Sequence, residues 1–154
     1  ALAVCLLDLR KFTKDDFAKY HPGGTLGKKL FLTVGALSNQ NQLPKVNPNS
    51  KIKDVIIEIS EKRLGFTAVI DNKKVIGVIT DGDLRRMLSK TENISDLSAK
   101  DIMSTSPKTI SANAMAIEAL KFMKANEISQ LIVEDENKYA GVIHIHDLIR
   151  EGII

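Results

Sequence analysis

The chain repeats itself. Slid along its own length, residues 46–86 fall on residues 110–150 with no gap, an offset of 110 − 46 = 64. Val69 lands on Val133, Asp71 on Asp135, Gly77-Val78-Ile79 on Gly141-Val142-Ile143, Asp83-Leu84 on Asp147-Leu148, and Arg86 on Arg150. Self-similarity at a fixed period marks units that bury an apolar face against one another. A unit of about 50 residues buries too little surface to stand alone. Two copies packed face to face are therefore expected.

Each copy has the same internal order. A turn with a cap candidate (Asn49, Asn113) precedes an amphipathic helix, with Ile52, Val55, Ile56 and Ile59 at helical spacing in one and Ala116, Ala119, Leu120 and Met123 in the other. The stretches TAVI, DNKK and VIGVI read as a hairpin, as do LIV, EDENK and YAGVI, and a short helix follows near Asp83 or Asp147. The unit is β-α-β-β-α, led in by Val34–Leu37 and by Ile102–Met103. The expected fold class is α/β (α+β), two such units related by a pseudo-twofold. The expected divisions are 1–32, 33–92 and 93–154.

Composition bounds the function. The 154 residues are 44% apolar, enough for a real core. No apolar run approaches the roughly 20 residues that span a bilayer, and no basic stretch with a small-residue cleavage site is present. A cytoplasmic protein without a membrane partner is the expectation. The single cysteine, Cys5, cannot form an internal disulfide and reads as a small core residue. Residues 1–32 hold six cations (Arg10, Lys11, Lys14, Lys19, Lys28, Lys29) and three anions (Asp8, Asp15, Asp16), and 6 − 3 accounts for the whole net charge of +3. The rest is neutral and the chain lacks Trp, a poor footprint for nucleic acid. The opening ALAVCLLDL is apolar nearly all round, as a helix buried on every side would be. The chain therefore reads as the C-terminal part of a longer polypeptide.

The stretch His21 to Lys29, HPGGTLGKK, has the glycines and lysines of a phosphate loop but not its spacing. Gly23 to Gly27 is one residue too short, Lys29 stands where a hydroxyl should bind Mg²⁺, and no apolar strand precedes it. Gly23-Gly24 instead allows a tight turn, and His21 before Pro22 is biased to an extended conformation.

The doubled unit, with DIMS (Asp101 to Ser104) and GVITDGDL (Gly77 to Leu84), resembles a pair of CBS domains, a regulatory module. DFAKYHPGGTLGKKL (Asp16 to Leu30) and GVIHIHDLIREGII (Gly141 to Ile154) extend the resemblance to the D-arabinose 5-phosphate isomerase family, which carries an N-terminal sugar isomerase (SIS) domain before its CBS pair and serves Kdo synthesis. The resemblance implies that residues 1–32 end the SIS domain and its linker. It also implies that His21 contributes to the isomerase site, where enediol chemistry needs a group that gains and loses a proton near neutral pH. A histidine that merely orders the linker is the alternative. The chain by itself is expected to be inactive, for lack of paired glutamates placed for that chemistry.

In CBS domains the pattern G-h-x-[ST]-x-x-[ND] sets a hydroxyl near phosphate and a carboxylate on a sugar diol, and Gly77 to Asp83 match it with Thr80 and Asp83. The physical basis is a strand end running into a helix whose first N–H groups are free. The plainer reading is that Thr80 and Asp83 only cap that helix. In the second copy His144 replaces the hydroxyl and Asp147 keeps the carboxylate, so the two sites should differ. His144 and His146 share a strand face, but two ligands without a third do not make a metal site, and polar lining is preferred. Arg85 and Arg86 could neutralise phosphate or solvate a helix face. The expected ligand is CMP-Kdo or a nucleoside monophosphate, with no tightly held cofactor. Few cations lie near enough for a triphosphate. A non-binding scaffold is the alternative, and a homodimer of the module, within a larger oligomer, is expected in either case.

Overall fold

The computed structural model describes residues 2, 5, 11–21 and 23–154. Leu2 and Cys5 are both exposed on this chain. The other residues of the opening apolar run, and Pro22, lie outside the described set.

Two three-stranded sheets carry the repeat. Helices α1 (Lys14–Tyr20), α2 (Thr25–Phe31) and α3 (Val34–Ser38) come first. The first unit is β1 (Lys45–Val46), α4 (Ile52–Lys62), β2 (Phe66–Asp71), β3 (Lys74–Thr80) and α5 (Asp81–Lys90). After a 3₁₀ turn and α6 (Ala99–Ile102), the second is β4 (Thr109–Ser111), α7 (Ala116–Asn126), β5 (Gln130–Asp135), β6 (Lys138–His144) and α8 (Ile145–Arg150). In each sheet the first strand pairs parallel to the second, which pairs antiparallel to the third.

The repeat holds down to single dihedral angles. Helices α4 and α7 both end on a left-handed residue, Arg63 (φ 56°) and Glu127 (φ 53°). Both hairpins turn through two positive-φ residues, Asn72-Lys73 and Glu136-Asn137, the turn form whose twist suits paired strands. The register slips at the same place in both, between Val69 and Ile70 and between Val133 and Glu134. Two expectations fail. The helix caps fall at Lys51 and Met115, two residues after Asn49 and Asn113. The lead-ins Val34–Leu37 and Ile102–Met103 are largely helical, and the first strands come later.

Those lead-ins cross over. Helix α3, which precedes the first unit, packs on the second: the Val34 and Gly35 amides donate to the Ala114 and Ala112 carbonyls, both at 2.8 Å. Val34 and Leu37 share a core with Leu120, Met123, Val133, Ile143 and Leu148. Helix α6, which precedes the second unit, packs on the first: the Ala99 and Lys100 amides donate to the Ser50 and Pro48 carbonyls, both at 2.9 Å. Ala99 joins the core of Ile52, Val55, Ile59, Val69 and Ile79. Glycine permits the close approach. A Cβ at Gly77 would sit 2.9 Å from the Ser104 carbonyl oxygen, and one at Gly141 would sit 2.9 Å from the Ser38 Cβ. A third cluster, Phe66, Ala68, Ile132 and Val142, joins the two sheets.

Candidate functional site

The crossing brings two clefts into being, each where a third strand runs into a helix. In the first, Thr80 caps α5. Its amide and hydroxyl both donate to Asp83 Oδ2, at 2.8 and 2.7 Å, and the Asp83 amide donates back to the hydroxyl at 3.3 Å. Asp83 Oδ1 accepts from Arg86 and, at 3.1 Å, from the Ser104 hydroxyl carried in by the crossing segment. The capping reading of the motif is therefore realised. Burial acts to raise the Asp83 pKa, but the hydrogen bonds from Thr80, Arg86 and Ser104 outweigh it and hold the carboxyl below its ordinary value of 3.8.

Thr80 lines a cavity of about 200 Å³ between the units, together with Phe66, Val78, Ser104, Lys108 and Gln130. Asp83 stands behind this wall and opens instead on a hollow of about 280 Å³ with Arg86, Met87 and Lys90. Thr80 and Asp83 are hydrogen-bonded together but face different spaces. Arg85 is exposed and lines neither.

The second cleft keeps the frame and changes the chemistry. His144 caps α8 and its amide donates to Asp147 Oδ2 at 2.8 Å, while Arg150 donates to Asp147 Oδ1 at 2.8 Å, as Arg86 does to Asp83. The place of Ser104 is taken by Asn41, whose amide donates to Asp147 Oδ2 at 2.8 Å and to the Val142 carbonyl at 3.0 Å. Asn41, Arg63, Gln130, His144, His146, Asp147 and Arg150 line a space of about 490 Å³. The rings of His144 and His146 stack at 4.6 Å, and His144 Nδ1 accepts the His146 amide at 3.1 Å. Burial first, then His146, lowers the His144 pKa from 6.5 against the pull of Asp147. Among the described residues no three groups of His, Cys, Asp or Glu gather as a metal site would need.

His21 lies apart from both clefts. It is exposed at the end of α1, where its amide donates to the Phe17 carbonyl at 3.0 Å and its ring tilts against Phe17 at 4.8 Å. Sequence reasoning missed Ser104, Lys108, Gln130, Asn41 and Arg63. Arg150 was within reach, because the offset sets it on Arg86. Ser104 and Asn41 carry no such signal, since the unit that each serves is not the one it precedes.

The comparisons agree with this architecture. The CBS domain family matches residues 34–90 and again residues 99–153. The chain is 37% identical over 156 aligned residues to an arabinose 5-phosphate isomerase, KdsD, of Yersinia pestis, and 38% identical to that of Escherichia coli. Each match covers 100% of this chain and 48% of the relative, so the chain spans about half the length of the curated relatives it matches. Among solved structures, a CBS domain protein from Pyrobaculum aerophilum complexed with AMP superposes with a TM-score of 0.67 at 20% identity, covering 76% of this chain and 90% of that one. With both repeats matched and the paired sheets in place, the chain belongs to the CBS domain family as a tandem pair.

Proposed function

We propose that this chain is the regulatory CBS pair of an arabinose 5-phosphate isomerase, joined through residues 1–32 to a sugar isomerase domain, and that its clefts sense a nucleotide or sugar nucleotide. The observation that carries the parentage is the match to such isomerases along the whole chain, HPGGTLG included, rather than over the CBS units alone. On this reading residues 33–92 and 93–154 are the two CBS domains. His21, exposed on the upstream side, is offered to the isomerase site.

The ligand reading rests on the asymmetry of the clefts. One is narrow and mostly apolar, with Thr80, Ser104 and Lys108 as polar contacts. The other is wider and holds Arg63, Arg150 and two histidines. Such a pair suits an unsymmetrical molecule with a base, a diol and an acidic group. CMP-Kdo, as the activated product of the pathway, is the natural feedback ligand, and a nucleoside monophosphate is the simpler one. Asp83 reaches a diol only by giving up Ser104 or Arg86. Exposed apolar residues on the unit helices, Ile57, Leu88, Phe122 and Ile149, support a homodimer that covers them.

The test is a thermal titration of the chain with CMP-Kdo, CMP, AMP and ATP. A Tm that rises with concentration, more for the monophosphate forms than for ATP, is expected. No rise at millimolar concentration with any of them replaces the sensor by a scaffold. In the joined enzyme, His21→Ala is expected to lower turnover sharply with little change in Tm; equal losses of both return His21 to a structural role.

A further inference from the structure

We propose that the second cleft, built on His144 and Asp147, is the one whose occupancy is passed to the segment upstream of residue 44, and that Asn41 is the contact that passes it. This rests on the reading of the clefts as ligand sites. Sequence adjacency suggests the opposite, because that segment runs directly into the first unit. The bonds run elsewhere. Among the described residues, every hydrogen bond and ion pair that leaves residues 23–43 downstream ends on the second unit or its closing turn. The Val34 and Gly35 amides reach Ala114 and Ala112, the Leu32 carbonyl accepts from Ala116, and Lys28 Nζ pairs with Glu151 Oε2 at 2.9 Å. Asn41 holds Asp147 and Val142. Helix α8, which carries Asp147 in its first turn and ends beside Glu151, is therefore gripped at both ends by the upstream segment.

Asp147 has three donors, and they are unequal. The His144 amide belongs to the cap, and Arg150 brings a full positive charge. Asn41 brings a neutral amide from another element and is the donor most readily displaced. A hydroxyl-bearing ligand that takes its lone pair on Asp147 frees the half-buried Asn41 side chain and loosens the chain behind it. In the first unit a ligand that reaches Asp83 from its own hollow instead frees Ser104, which sits in the segment between the units. A ligand there speaks to the joint between repeats and not to what precedes them.

Backbone amide hydrogen exchange on the chain tests this. Asn41→Ala leaves the α8 cap and Arg150 in place, and it is expected to speed exchange at Val34 and Gly35 about tenfold, the scale of one hydrogen bond to a charged acceptor. Ser104→Ala is expected to speed those two amides no more than the fall in overall stability read from urea denaturation requires. Equal effects of the two variants, or none from Asn41→Ala, overturn the inference. With millimolar CMP or AMP, wild-type exchange at Val34 and Gly35 is expected to rise, and Asn41→Ala to lose that response. A Tm shift with no response at these amides sinks the proposed relay while leaving a nucleotide site standing. No Tm shift with either nucleotide removes the ligand reading and this inference with it.

Discussion

The two units share their hairpin turns, their register slips and the left-handed ends of their long helices, yet they differ where a ligand would be held. Thr80, Ser104 and Lys108 furnish the first site with hydroxyls and one amine; His144, Asn41 and Arg63 furnish the second with imidazole, amide and guanidinium. The carboxylate and its arginine partner are kept in both. The shared carboxylate accepts the cap residue's backbone amide in both units, a bond that does not depend on which side chain stands at the cap. The differing groups face space.

The largest expected effect tests the equivalence of the cores. Ile79 and Ile143 are both fully buried counterparts, and Ile→Ala at either is expected to cost about 2–5 kcal/mol in urea denaturation. Costs that differ by more than about 2 kcal/mol would break the equivalence at its root. Next come the crossing contacts. Gly77→Ala and Gly141→Ala push a methyl against Ser104 and Ser38, and overpacking of this kind costs about 1–3 kcal/mol. Each is expected to lower the stability of both units in one transition, because each crossing segment belongs to both. Two separate transitions would deny the interlock.

Acid separates the sites. The pKa of His144 is depressed in the folded state, so its contribution is present above its ordinary value of 6.5 and is lost as pH falls below it. Asp83, also depressed, keeps its contribution until pH falls below the ordinary carboxylate value of 3.8. Between pH 7 and 5 the Tm is expected to fall through His144, and His144→Thr, which writes the first site's residue into the second, is expected to flatten that slope. An unchanged slope would sever the link between this imidazole and stability. The smallest effect is that of Lys28→Ala at the half-exposed pair with Glu151, about 0–1 kcal/mol and weaker still in high salt.

Much of this was legible in the residues. The offset of 64 located both hairpins, both long helices and the pairing of Asp83 with Asp147, because alternation and helical spacing are local properties. What stayed hidden was partnership across the chain. Val34–Leu37 shows an apolar face, but nothing in it says that Ala112 and Ala114, far ahead, will accept its amides. The same ignorance hid Ser104 and Asn41, which serve sites built by the other unit. Asn49 and Asn113 misled for a different reason. Either could cap a helix, yet the chain runs on as turn to Lys51 and Met115, where the Met115 amide is met by Glu118 at 2.8 Å.

The crossing also bears on how such a molecule can arise and diverge. A lone unit with its lead-in would present a helix with no groove of its own to fill and a groove with no helix. Two identical copies would cure both defects by reciprocal exchange, and both pockets would then change with every mutation. Fusion of the copies into one chain makes the exchange internal and gives each pocket its own codons. Thr80 and His144, at one position in the shared frame, are what that independence permits.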